Sequence, residues 1–203
     1  MKLYFSTGAC SLAPHIVLRE IGIPFELERV SLASKKTASG SDYLEVNPKG
    51  YVPALRLDNG EVLTEVPAVL QYLADFFPER QLAPAAGTME RYRLIEWLNF
   101  ISTELHKTFS PLFKPNTPEE TKQTARDAIA ARLDIVEKQL QSRDYLNGNQ
   151  FGVADAYVFT VLSWARPIKF DLGRWPAVQT YMQRVAERPA VREAMEAEGL
   201  LKK

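Results

Sequence analysis

The order of local signals along the chain predicts an α/β unit followed by an all-α unit. Three observations carry this. Strand-like and helix-like stretches alternate over the first 78 residues. Residues 79–87 are rich in Ala, Pro and Gly and show no apolar period, and beyond them only helical periodicity remains. The division is therefore 1–78, a linker at 79–87, and 88–203.

Residues 2–6 read as a short strand, and Thr7-Gly8-Ala9-Cys10 as a loop running into an amphipathic helix from about Ser11 to Ile21, ended by Gly22 and Pro24. Phe25 to Ser31 is strand-like, and the right-handed crossover rule makes it parallel to the first strand. Ala33 to Ser41 is small, basic and irregular. Val52 to Leu57 and Glu61 to Thr64 flank Asp58-Asn59-Gly60, a strong hairpin turn, and a helix with Val69, Leu70, Leu73, Phe76 and Phe77 on its apolar face stops at Pro78. Strand, helix, strand, strand, strand, helix is the order of a thioredoxin-type domain, a mixed sheet packed between helices. In the second part Leu94, Trp97, Leu98, Ile101 and Leu105 form one stripe, and Ala128, Leu133, Val136 and Leu140 part of the next, with Pro115 and Pro118 between them. Val153 to Ile168 is apolar nearly all round, as expected of a central helix, with Trp175–Glu187 and Ala190–Ala197 covering it.

With 203 residues, 46% of them hydrophobic, the chain can bury its own core without disulfide or metal. Residues 1–80 carry 8 basic and 10 acidic side chains and the remainder 17 and 15, so neither part has the electrostatic footprint of a nucleic-acid binder. No long apolar stretch suggests a signal peptide or a membrane span, and a single cysteine fits a reducing compartment, so a cytoplasmic location is expected.

Cys10 sits where the loop after the first strand enters a helix, a position that stabilises a thiolate and argues for reactivity over a buried filler role. Val52-Pro53 precedes a strand, where a cis-proline turns the preceding backbone outward to pair with an extended peptide; an ordinary strand-edge proline is the alternative. Glu65 starts the next helix, either capping it or helping to hold a ligand that bears amine and carboxylate. Asn99, Thr103 and His106 follow i, i+4, i+7 spacing and are expected on one helix face, where a histidine can assist a thiolate or a leaving group. Cys10, His15 and His106 lack paired ligand spacing, and no metal is expected.

Met1 to His15 with its Cys10, Asn47-Pro48-Lys49-Gly50-Tyr51-Val52-Pro53-Ala54-Leu55, Thr64-Glu65 with Gln71 to Asp75, and Glu96 to His106 together resemble the bacterial beta-class glutathione S-transferases over essentially the whole chain. The resemblance implies a thioredoxin-like N-terminal domain with an all-helical C-terminal domain, conjugation of glutathione to small hydrophobic electrophiles in detoxification, a homodimer, and no cofactor beyond glutathione as cosubstrate. It implies that Cys10 lies beside the glutathione sulfur and that Val52 pairs through its backbone with the cysteinyl part. Glu65 and the backbone at Val66 would hold the γ-glutamyl end, and Lys35 the glycine carboxylate. Asn99, Thr103 and His106 would line the site, the first two reaching a ligand held mainly by the neighbouring subunit; Phe109, Phe113 and Trp164 are candidates for the electrophile pocket.

Two positions depart from the family pattern. Val66 stands where Ser or Gly is usual, keeping the N–H but not the hydroxyl. Gly152 stands where Ser or Thr usually caps the central helix, so that Asp155 can reach back while the forward half of the capping box is missing. Two other activities remain open: a thiol-disulfide or dehalogenating enzyme in which Cys10 itself forms a mixed disulfide, and a non-catalytic member that carries apolar ligands or binds protein.

Overall fold

The computed structural model describes residues 1–201. The chain forms two compact units, one made of the first 82 residues together with the segment from Arg188 onward, the other of Ala83–Glu187. The sequence division assigns everything after 87 to the helical part; the segment from Arg188 differs because its helix packs on the first helix of the N-terminal unit. No helix among the described residues is long and apolar enough to cross a membrane.

In the first unit a five-stranded sheet has the order β3-β2-β1-β4-β5. Its strands are β1 (Lys2–Phe5), β2 (Glu26–Ser31), β3 (Lys36–Thr37), β4 (Ala54–Arg56) and β5 (Val62–Thr64). β1 lies in the middle, parallel to β2 and antiparallel to β4, with Leu3 opposite both Leu27 and Leu55. Helix α1 (Leu12–Ile21) makes the crossover between the parallel strands, and Gly22 ends it with φ +77, where its N–H reaches Leu18 O. β3 is the one strand the sequence pattern misses: two residues in the irregular basic stretch pair with Val30 and Ser31. Helix α2 (Val66–Phe76) buries Val69, Leu70 and Leu73, and α1 buries Leu12, Ala13, Ile16, Val17 and Leu18. Tyr4, Val30, Tyr43, Val52 and Ala54 form a further apolar cluster.

The second unit begins with α3 (Met89–Phe100), capped by the Thr88 hydroxyl, which accepts from Arg91 N–H. A π-helical turn, Ile101–His106, joins it to α4 (Lys107–Phe113); α5 (Glu119–Leu140), α6 (Val153–Ser163) and α7 (Pro176–Ala186) follow. α8 (Pro189–Ala197) belongs to the first unit. α6 is buried from Val153 to Leu162, as its all-round apolar sequence predicts. One polar group in it organises what surrounds it. The buried Asp155 carboxylate accepts from Gly152 N–H at 2.8 Å, Leu146 N–H at 2.9 Å and the Tyr181 hydroxyl at 2.9 Å. Burial, and then the Asp155 charge, push the Tyr181 hydroxyl far above the usual phenol range, so it stays a donor. The forward half of the cap is supplied by backbone: Asp155 N–H donates to Gly152 O at 3.0 Å. The glycine therefore leaves no orphan at that amide.

Asp155→Ala strands the amides of Gly152 and Leu146 and leaves the Tyr181 hydroxyl only the carbonyl of residue 155, at 3.3 Å, and urea denaturation is expected to show a loss of about 3–5 kcal/mol; a loss below about 1 kcal/mol would contradict the bridging role. Gly152 has extended backbone, φ −140 and ψ −177, open to any residue. Gly152→Ser is accordingly expected to gain only a few tenths of a kcal/mol, and a measured loss would refute that backbone reading.

Candidate active site

Antiparallel pairing puts the end of β1 beside the start of β4: Tyr4 lies opposite Ala54, and Ala54 opposite Thr64 of β5. The loop after β1, the residues before β4 and the residue after β5 therefore emerge at one end of the sheet. Those are the places of Cys10, Val52 and Glu65.

The Cys10 loop is closed from within by Ser11, whose hydroxyl accepts from Ser6 N–H at 3.1 Å and donates to Ser6 O at 3.3 Å. Cys10 is half-buried and its Sγ donates to the carbonyl of Val52 at 3.1 Å. The amides of Leu12 and Ala13 are taken by the carbonyls of Ala9 and Cys10, Pro14 has no N–H, and the sulfur faces an acceptor. As placed, the side chain is a hydrogen-bond donor.

Val52 is fixed by the turn before it. Asn47 Oδ1 accepts from Lys49 N–H, Gly50 N–H closes on Asn47 O at 2.8 Å, and Gly50 has φ +67, which suits glycine. Tyr51 O then receives Asn47 Nδ2 at 2.7 Å and the Tyr43 hydroxyl at 2.8 Å. Burial pushes Tyr43 up to about 12, so it remains a donor at any pH near neutrality. The Val52–Pro53 peptide is cis, the first of the two alternatives open from sequence. Asn47 and Tyr43 have no place in the sequence-based site, although Asn47 opens the motif that contains Val52.

Glu65 is the residue before α2, and its side chain makes no capping bond. Of its two sequence-based roles, capping is therefore not the one taken. Its carboxylate meets Lys49 Nζ at 2.8 Å, and Lys49 also reaches Thr64 Oγ1 at 3.1 Å. Its backbone has φ +71 and ψ +122, a conformation that costs a non-glycine residue of order 1–3 kcal/mol and is concentrated at functional sites. In the first turn of α2, Val66 and Ala68 carry amides without intrahelical acceptors, and Pro67 between them has none to offer. The Val66 side chain is buried, so only its backbone faces this work. Lys35, also at positive φ, donates from Nζ to Gly50 O at 2.8 Å and lies over the Tyr51 ring.

In the second unit the shared helical face expected for Asn99, Thr103 and His106 is broken. The π-turn takes about one residue more than an α-turn and so rotates the side chains after it by about 100°. Asn99 and Thr103 are exposed, with the Thr103 hydroxyl donating to Asn99 O at 3.0 Å. His106 is half-buried instead, its Nδ1 2.8 Å from the Tyr157 hydroxyl and its ring 4.9 Å from that of Trp164. Trp164 also meets Phe109 and Phe113 edge-on, at 5.8 and 5.7 Å between ring centroids. Phe109, Phe113, Trp164 and His106 thus form one aromatic cluster. Within it Phe109 is core, 1% exposed, while Phe113 is 49% exposed and borders a cavity of about 290 Å³ with Lys122, Arg126 and Ile168. Tyr157 is absent from the sequence-based site, yet a hydroxyl in an otherwise apolar buried helix requires a partner, and that is a signal the sequence carries.

Comparison with known proteins identifies the arrangement. A family model for the glutathione S-transferase N-terminal domain matches residues 7–75, and one for the C-terminal domain matches 100–189. The chain belongs to the glutathione S-transferase family. It is 52% identical over 200 residues to glutathione S-transferase GstA of Escherichia coli O157:H7, covering 98% of this chain and 100% of that one. The structure of a sphingomonad glutathione S-transferase complexed with glutathione matches with TM-score 0.95 and 50% identity, over 99% of this chain and 100% of the other. That of the bacterial beta-class enzyme of Sphingomonas chungbukensis matches with TM-score 0.96 and 48% identity over the same shares. The transferase fold is thereby established for this chain, with beta-class proteins among its structural neighbours.

Because Glu65 is held at positive φ, Glu65→Gly should be more stable than Glu65→Ala by about 1–2 kcal/mol, both having lost the carboxylate. Equal melting temperatures for the two variants would contradict a left-handed constraint there.

Proposed function

We propose that this transferase conjugates the thiolate of glutathione to small hydrophobic electrophiles, with glutathione as cosubstrate and no bound cofactor. The observation that carries the reading is the convergence of Cys10, Val52 and Glu65 at one end of the sheet. An extended tripeptide would pair by its cysteinyl backbone with Val52. Its γ-glutamyl carboxylate would meet the first-turn amides of α2, and its ammonium group would meet Glu65, taking the place of Lys49. Lys35 would turn from Gly50 O to the glycine carboxylate. In the reaction the glutathione thiol gives its proton to solvent water, its sulfur forms a bond to the electrophilic carbon, and the bond to the leaving group breaks with that group taking the electron pair. Cys10 would act as a hydrogen-bond donor to the attacking sulfur, exchanging Val52 O for it. His106, with Nδ1 held by Tyr157, would assist the departing group, and the aromatic cluster around Trp164 would offer an apolar surface to the electrophile.

The Cys10–Val52 contact is one that a donor to the glutathione sulfur would give up on binding, which supports conjugation as the main reading. The retained Cys10, Glu65 and His106 weigh against a purely ligand-carrying role. The family resemblance further supports a cytoplasmic homodimer serving detoxification, with Asn99 and Thr103, both exposed, contributing to a site shared between subunits.

Cys10→Ala is expected to keep measurable conjugation of a chloronitroaromatic, and His106→Ala to lower kcat by roughly 10²–10⁴ if it acts as an acid–base group. Complete loss in Cys10→Ala with glutathione still bound would make the cysteine a covalent catalyst and favour the disulfide reading. Sedimentation at micromolar concentration should give one species of twice the chain mass. A monomer with full glutathione affinity would exclude the shared site.

A further inference from the structure

The aromatic cluster of the helical unit borders, at Phe113, a second surface that this mechanism does not use. Phe113 closes α4 with its ring edge-on to Trp164, and it also walls the cavity of about 290 Å³ between the end of α4, the start of α5 and the segment after α6. Leu112, Phe113 and Ile168 make one side of that cavity apolar, and Lys122 and Arg126, at i and i+4 on α5, make another side cationic. Glu119 is the acid in the lining: its Oε1 accepts from Arg126 Nη1 at 2.6 Å, and its Oε2 stands 3.9 Å from Lys122 Nζ. One carboxylate between two cations leaves the lining one positive charge in excess. The three side chains also differ in exposure. Lys122 is 23% and Arg126 37% exposed, against 72% for Glu119, so the cations are set into the wall while the acid leans into solvent. Ion pairs with so exposed a partner contribute little. A carboxylate entering the cavity can therefore take the place of Glu119 on the Arg126 guanidinium, whose planar fork fits it. The volume lies at the lower end of the range of small-molecule sites and admits a single substituted ring.

We propose that Lys122 and Arg126 form an anion subsite beside the electrophile pocket, which makes monocyclic aromatic electrophiles bearing a carboxylate the preferred acceptor substrates of this transferase. The substrate assignment rests on the reading that the cluster around Trp164 receives the electrophile. Phe113 is the shared wall: the ring of such a substrate would lie against Phe113 and Ile168, and its carboxylate would meet Arg126 and Lys122. The chemistry stays that of conjugation. With 4-chloro-3-nitrobenzoate the glutathione thiol gives its proton to solvent water, its sulfur bonds to the ring carbon that carries chlorine, and chloride leaves with the electron pair of the broken bond.

Two measurements on the full chain test this with an acid and its neutral amide, which share one ring and differ in charge. The first is kcat/KM for 4-chloro-3-nitrobenzoate against 4-chloro-3-nitrobenzamide at saturating glutathione. The second is the calorimetric Kd of the unreactive 4-methyl-3-nitrobenzoate against its amide, which needs no turnover. The parent should favour the acid by about fivefold in both, the scale of a charged hydrogen bond discounted for partial exposure. Arg126→Gln and Lys122→Gln should each remove most of that preference and leave the amide unchanged, while Arg126→Lys keeps part of it. Glu119→Gln takes away the competing acid and should raise the preference by about twofold. Equal values for acid and amide in the parent, or a preference that survives both glutamine variants of the cations, would overturn the subsite and leave the three residues as a surface ion-pair group. A preference in Kd with none in kcat/KM would overturn the substrate assignment, setting the anion site apart from the electrophile. Failure to conjugate the amide as well as the acid would overturn the conjugation reading itself, with the calorimetric preference still deciding the subsite.

Discussion

The antiparallel pairing of β1 with β4 is the constraint on which the site depends. It sets Tyr4 opposite Ala54, and with β5 paired to the other edge of β4 the chain must deliver three separate segments to the same end of the sheet. Cys10, Val52 and Glu65 are 42 and 13 residues apart in sequence, and no local preference would bring them together. The hydrogen-bond ladder does so, and the 3.1 Å contact between Cys10 Sγ and Val52 O is its direct consequence. Each segment leaves regular pairing at that point, which frees backbone amides and carbonyls to meet a peptide ligand.

What leaves a ladder must be satisfied some other way, and buried polar side chains do it here. Asn47 and Tyr43 converge on Tyr51 O, Ser11 closes on Ser6, Glu198 holds Gly8, and in the helical unit Asp155 binds the amides of Gly152 and Leu146. Among the described residues no buried side-chain nitrogen or oxygen lacks a partner. In a low-dielectric interior such complete networks rigidify the segments they join, whereas incomplete ones destabilise them. The site segments are irregular in backbone, and these bonds give them fixed positions. Glu65 stands apart: its positive φ is held although its side chain caps nothing, so its strain is compensated by the surrounding helix and strand.

Much of the fold is legible in sequence because its signals are local. Glycine and proline end α1 and α2, Asp58-Asn59-Gly60 makes the hairpin, and the apolar run from Val153 marks the buried helix. β3 is missed by such a reading because its two paired residues carry no period. The π-turn at Ile101–His106 is a different matter. Its sequence, Ile-Ser-Thr-Glu-Leu-His, fits an α-helix equally well, and counting residues therefore puts His106 beside Asn99 and Thr103. The wider turn instead rotates it inward to Tyr157 and Trp164.

The sequence by itself determined the fold class and the family and singled out candidate residues for the chemistry, because periodicity, turn chemistry and motif are written within a few neighbouring positions. Only the tertiary structure decided what those residues face. Cys10 meets a carbonyl, Glu65 meets Lys49, and His15, unremarkable on its helix, meets a carboxylate from the far end of the chain. The physical reason is range. Helix and strand preferences act over one or two turns, but the state of a thiol, a carboxylate or an imidazole is set by whichever atoms lie within about 4–6 Å of it. Those neighbours are chosen by strand order and by the packing of α8 on α1, which no local stretch of sequence contains.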